Sequence, residues 1–205
     1  MSVESSCAKP ELAKEKTAQQ SYSFKLLVEQ LKEDRRAHRC DSTLPGFRAL
    51  AVHRFGQWAD NVHPRLLRRI LSRLYVCCYR YIRNHYGIEL PRTTKVGRRV
   101  NIGHQGGIVV HPASEIGDDC ILRQNVTIGA ASVETVNRGP ILGNRVELGC
   151  GAVVIGGVVV GDDVRIGPNA VVTRNVPPGS TVVAQPPRIV FLRKRSGLPP
   201  TKAPQ

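Results

Sequence analysis

Two hydrophobic periods divide the chain. From Tyr22 to about residue 88 apolar residues recur at helical spacing. Phe24, Leu27, Val28 and Leu31 form one stripe, because side chains three and four apart share a helix face. The LPG at 44–46 predicts a break. Phe47, Leu50, Ala51, Arg54, Phe55 and Trp58 then predict a second amphipathic helix. A third is predicted from His63-Pro64 through Leu67, Ile70, Leu71, Leu74, Cys78, Tyr81 and Ile82. Proline is tolerated in a first helical turn, and Gly87 suits the stop.

After residue 89 the period becomes six. Hexads from Leu142 to Pro177 begin at Leu142, Leu148, Val154, Val160, Ile166 and Val172. Their fifth positions are Val146, Ala152, Val158, Val164, Ala170 and Val176. The same period appears at Val96, Ile102 and Ile108, and again at Ile116, Leu122 and Ile128. Six residues make one short strand and one turn, and three such units close a triangular coil. Repeats of this kind define an architecture: a parallel β-helix, with the first position inward and the small fifth position near the corner. A β-sandwich does not sustain a six-residue aliphatic register. The step from Ile108 to Ile116 adds two residues, and that from Ile128 to Leu142 adds the longer AASVETVNRGP. Insertions in solenoids form loops on one face, which makes Asn137 and Arg138 candidate site residues.

The predicted organisation is a disordered leader over 1–20, an α-helical region over 21–88, a β-helix over 89–191 and a basic tail over 192–205. The 205 residues are enough to bury a core. Aromatics are scarce at 5%, which suits coils filled by small aliphatic side chains. The net charge of +14 calls for an anionic partner. Basic residues do not alternate with aromatics around the repeats, so nucleic acid is not expected. The six cysteines include no CxxC pair and predict reduced thiols in the cytoplasm. No apolar leader of the secretory kind is evident at the N-terminus. The apolar stretch at 64–82 carries arginines at 65, 68, 69, 73 and 80 and cannot be a comfortable membrane span. That helix is either a solvated face or a peripheral contact with an anionic membrane or a lipid-linked acceptor.

Helices followed by VGRRVNIGHQGGIVVHP, NVTIG, IGGVVVGDDVRIGPNAVV and VPPGSTVVAQPPRIV resemble the serine acetyltransferase family of hexapeptide acyltransferases. The resemblance runs from about residue 30 to 191. It implies a left-handed β-helix, a homotrimer with sites between subunits, and acetyl transfer from acetyl-CoA to a hydroxyl. His104 matches the catalytic base; alone it would read as a turn histidine. Glu89 stands fifteen residues upstream, where the family carries an Asp, and is either the orienting partner of His104 or a solvated junction residue. The implied CoA groove lies between neighbouring solenoids, with Gly129-Ala130, Gly149-Cys150 and Gly167-Pro168 at matching corners. Arg188, Arg193, Lys194 and Arg195 are candidates for its phosphates. Arg138 could hold an acceptor carboxylate, with Asn137 beside it.

Three departures bear on the acceptor. Serine-specific members place Asp before the histidine, where this chain has Gly103. Their Arg-His-Pro segment is Arg138-Gly139-Pro140 here, and their terminal isoleucine is absent from TKAPQ. The acceptor is therefore serine or a sugar-like or specialised hydroxyl. A non-catalytic scaffold is the competing class. His111 and His104 lack a third histidine in the solenoid, so no metal is expected.

Overall fold

The computed structural model describes residues 23–132, 137–186 and 190. Three helices come first: α1 (Phe24–Ala37), α2 (Pro45–Asp60) and α3 (Arg65–Tyr86). Ser23 caps α1 by accepting from the Leu26 N–H, and Gly87 ends α3 in the left-handed conformation (φ 62°). Pro45 and Gly46 belong to the first turn of α2, so the expected LPG break lies before them. A side chain at Gly46 would meet the backbone of Ile102, with Ile102 Cβ only 2.8 Å away. Glycine there lets α2 lie directly on the first coil.

The predicted leader and tail lie outside the described residues, as does Arg188. The rest of the chain winds three-sided coils of short parallel strands. Sheet A stacks β1 (Ile88–Glu89), β4 (Ile108–Val110), β7 (Thr127–Gly129), β10 (Val153–Ile155) and β13 (Val171–Val172). Sheet B stacks β2 (Lys95–Val96), β5 (Glu115–Ile116), β8 (Ile141–Leu142) and β11 (Val159–Val160). Sheet C stacks β3 (Asn101–Ile102), β6 (Ile121–Leu122), β9 (Glu147–Leu148), β12 (Arg165–Ile166) and β14 (Thr181–Val182). This is the expected parallel β-helix. Every hexad first and fifth position named above is buried, and Ala49, Leu50 and Ile82 of the helices join the same core.

The three edges differ chemically. At the B/C edge Arg99, Asp119, Arg145 and Asp163 all adopt positive φ, unusual for side-chain-bearing residues. They stack as alternating charges: Arg99 grips Asp119 at 2.7 and 2.6 Å, and Arg145 grips Asp163 at 2.6 and 2.7 Å. At the C/A edge the positive-φ residues are Gly106, Gly107, Asn125, Gly151 and Asn169, of which the last four recur one per coil. A Cβ on Gly107 or Gly151 would strike the asparagine amide of the next coil, so glycine and asparagine alternate. The A/B edge holds both phase breaks. The turn at His111–Ser114 and the long insertion lie one above the other, joined by the Glu115 N–H donating to Pro140 O at 3.0 Å.

The helices close the first coil through buried polar groups. Arg54 and Asp34 are wholly buried and paired at 3.1 Å. Arg54 also donates to Val96 O at 2.7 Å and to Gly97 O. Burial pushes the Asp34 carboxyl above its ordinary value while Arg54 pulls it down. Breaking a buried pair strands its partner, so Asp34→Ala should cost about 3–5 kcal/mol of unfolding free energy in urea titration.

His53 is buried with its Nε2 against Thr94 O at 3.0 Å. Burial, and secondarily Arg54, hold its imidazole at about 3. The folded chain therefore stays unprotonated at His53 below pH 6.5, while the unfolded chain takes up a proton. Between about pH 6 and 4 this site should remove about 1.4 kcal/mol of stability per pH unit. Unfolding curves of the wild type and His53→Gln across that window check it, and the variant should show the shallower slope.

Candidate active site

The turn between β3 and β4 carries Gly103, His104 and Gln105. Asn101 and Ile102, just before it, are fixed from above. The Ile102 N–H donates to His38 Nε2 at 3.1 Å, and the Asn101 amide donates to Ala37 O. Because His38 Nε2 accepts, its proton sits on Nδ1, which donates to Asp34 O at 2.7 Å. The strand leading into the turn is rigid, while His104 is exposed and has no hydrogen bond or ion pair with any described residue.

One coil per step, the same C/A edge continues through Arg123-Gln124, Gly149-Cys150 and Gly167-Pro168. Coil-to-coil hydrogen bonds hold the column: Asn125 N–H to Gly106 O at 2.9 Å, Gly151 N–H to Gln124 O at 3.0 Å, and Asn169 N–H to Cys150 O at 2.9 Å. Beside this column runs a groove of about 410 Å³ lined by Arg123, Glu147, Gly149, Cys150, Arg165 and Pro168, among others. Arg123 and Glu147 pair across its wall at 3.3 Å. Neither groove arginine was singled out by the sequence reading. Their signal was the outward strand position next to a hexad first residue.

Gly129 and Ala130 are not at the matching corner. They follow β7 of sheet A and lie on the A/B edge, whereas the other two pairs follow strands of sheet C. Three hexads separate Leu148 from Ile166, which returns the chain to the same corner. Without the insertion only two separate Ile128 from Leu148, which does not. Asn137 and Arg138 share the A/B edge with Gly129. Both are exposed, and the Arg138 side chain packs 3.5 Å from where a Cβ on Gly157 would stand. His104 and Arg138 thus flank sheet A from opposite edges. Its outward residues between them, Val109, Thr127, Val153 and Val171, are in register and uncharged.

Glu89 lies in register with Val109 at the top of sheet A. It accepts a hydrogen bond from the Tyr79 hydroxyl, whose pKa burial and the Glu89 charge push up to about 12. No hydrogen bond or ion pair joins Glu89 to His104 among the described residues. His111 uses Nδ1 to accept from the Ala113 N–H at 3.2 Å within its own turn.

Among known proteins, the bacterial transferase hexapeptide (six repeats) family matches residues 139–174. A serine acetyltransferase of Helicobacter pylori is 37% identical over 141 residues, which is 67% of this chain and 77% of that protein. The chain belongs to the serine acetyltransferase family. A family member from Synechococcus elongatus is 33% identical over 154 residues, 75% of this chain but 59% of that protein. The chain therefore spans well under two thirds of that relative. Serine acetyltransferase from Vibrio cholerae superposes with a TM-score of 0.66 at 27% identity, covering 77% of this chain and 63% of that one. The soybean enzyme complexed with serine gives 0.65 at 27%, covering 80% and 69%. The solenoid is thus the left-handed β-helix of this family.

The two family departures at the site are physically unlike. A Cβ on Gly103 would have nothing nearer than Leu122 O at 3.8 Å. One on Gly139 would stand 2.6 Å from both the Ser114 N and Oγ. A side chain at 139 needs the loop to move. Gly103→Asp should accordingly fold with an unchanged thermal midpoint. Gly139→His should lower it by several degrees, as about 1–3 kcal/mol of overpacking implies; a thermal melt of each variant decides.

Proposed function

We propose that this protein is an acetyl-CoA-dependent O-acetyltransferase whose general base is His104. The observation that carries the reading is the exposed imidazole of His104 on the C/A edge, in one column with the Gly149-Cys150 and Gly167-Pro168 groove. The base takes the proton of the acceptor hydroxyl as that oxygen attacks the thioester carbonyl carbon. The tetrahedral intermediate collapses, the carbon–sulfur bond breaks, and the imidazolium returns the proton to the departing thiolate. The products are an O-acetyl ester and free CoA, with no acyl-enzyme. The implied phosphate contact by Arg188 remains part of the proposal, outside the described residues.

The acceptor is held by Arg138 and Asn137 in this proposal. They lie on the edge opposite His104, across a valine-rich uncharged face. A ligand that meets both sets must therefore bridge two chains, which supports a homotrimer with shared sites. The division into helical region and β-helix domain and a cytoplasmic location belong to the same reading. Among the described residues no helix is long and apolar enough to cross a membrane. Serine is the first acceptor to try, since the family's relatives are serine acetyltransferases. Gly103 and Gly139 favour testing sugar hydroxyls beside it.

Thiol release from acetyl-CoA, followed with serine and a panel of sugars, tests the reading. Turnover with at least one acceptor is expected, and His104→Ala should lower it by about 10²–10⁴-fold without changing the thermal midpoint. Glu89→Gln separates the two roles of Glu89. An orienting partner lowers kcat and shifts its pH profile; a residue tied only to Tyr79 lowers the thermal midpoint and leaves kcat alone. No CoA binding and no turnover would favour the scaffold.

A further inference from the structure

The solenoid pairs most of its charges, leaving Arg138, Arg165 and Arg174 without a carboxylate within 4.0 Å among the described residues, and α3 pairs none. Lys95, Arg98, Arg99, Arg123 and Arg145 are all paired with carboxylates. Among the described carboxylates only Glu29, Asp41 and Glu89 have no cationic partner within 4.0 Å. Helix α3 contains no acidic residue and carries arginines at 65, 68, 69, 73, 80 and 83. None of them forms an ion pair among the described residues.

The same helix exposes its apolar side chains. Only Tyr75 and Ile82 are buried, while Leu66, Ile70, Leu74 and Tyr81 are each more than half exposed. At 100° per residue Leu66, Ile70, Leu74, Cys77 and Tyr81 fall on one stripe about 20 Å long. Arg69, Arg73 and Arg80 border it on one side. On the other the stripe opens into an apolar depression of about 490 Å³ between α2 and α3, floored by Ala51, Val52 and Cys78. Contiguous apolar surface of this kind marks a contact.

We propose that α3 docks in the plane of an anionic lipid bilayer, with its Leu66–Tyr81 stripe among the acyl chains and its arginines at the headgroup phosphates. Charge complementarity selects this occupant. A second copy meeting this face with its own α3 would set arginine against arginine. Its other surfaces offer few uncommitted carboxylates. The docking does not depend on acetyl transfer.

The test is co-sedimentation of the full chain with phosphatidylcholine vesicles and with vesicles of equal parts phosphatidylcholine and phosphatidylglycerol. Binding to the anionic vesicles alone is expected. It should weaken about fivefold for each arginine among Arg69 and Arg73 changed to Gln, and it should be lost in Ile70→Glu. Ile70 is 54% exposed, so that variant should melt like the wild type. Equal binding to neutral vesicles, or none to either, would overturn the proposal. So would light scattering in which Ile70→Glu halves or thirds the particle mass, which would give the stripe to a second copy. Thiol release measured on the same samples keeps the two readings apart. Activity without vesicle binding sinks only the docking; vesicle binding without activity sinks only the acetyl transfer.

Discussion

The open end of the β-helix is the constraint on which the rest depends. Strands β2 and β3 have no coil above them, so their outer carbonyls and N–H groups have no ladder partner. An unpaired strand edge invites another chain, and buried backbone groups left unsatisfied are costly. Side chains from α1 and α2 satisfy them instead. Arg54 covers Val96 O and Gly97 O, His53 covers Thr94 O, and His38 covers the Ile102 N–H. Asp34 neutralises Arg54, and its backbone carbonyl holds the His38 ring. The helices are thus the cap of the solenoid, as terminal repeats of solenoids require.

That cap also connects the fold to the candidate chemistry. His38 and Asn101 fix β3 two residues before His104, and Gly46 brings α2 against the same strand. A base must hold its place to within a fraction of an ångström to be useful. Here the strand that delivers it is held by buried hydrogen bonds, while the imidazole itself stays open to solvent. Rigidity sits in the backbone and accessibility in the side chain.

Most of the architecture was legible because a period of six admits one solution. The hexad positions predicted inward are buried. The site was less legible, for identifiable reasons. The corner of Gly129 was misassigned because the insertion hid the hexad count; counting sides around the triangle corrects it. His38 and His53 carry no local signal, since a polar residue within or beside an amphipathic helix reads as solvated until the partner strand is known; Arg54 falls on the predicted stripe, but nothing in the spacing names Asp34 or Val96 as its partners. The Tyr79 contact of Glu89 joins a helix to a strand, and no spacing rule anticipates it.

Charge gives the last step of synthesis. A net charge of +14 says nothing about where the excess lies. On the solenoid, repetition itself enforces balance. Each coil sets a residue directly over its counterpart in the next, so like charges would stack, and Arg99 over Asp119 and Arg145 over Asp163 avoid that. A helix at the end of the solenoid has no counterpart above it and is free of that constraint. Unmatched charge can accumulate on α3 without penalty from neighbours, and there it adjoins the exposed Leu66–Tyr81 stripe. The C/A edge alternates glycine and asparagine at its positive-φ positions, and its one arginine, Arg123, is paired with Glu147. Of the three edges it is the one where an exposed histidine shares a column with a groove whose wall carries the paired Arg123 and Glu147. The repeat thus segregates two surfaces on one chain, a charge-paired edge suited to chemistry and a cationic helix suited to an anionic surface.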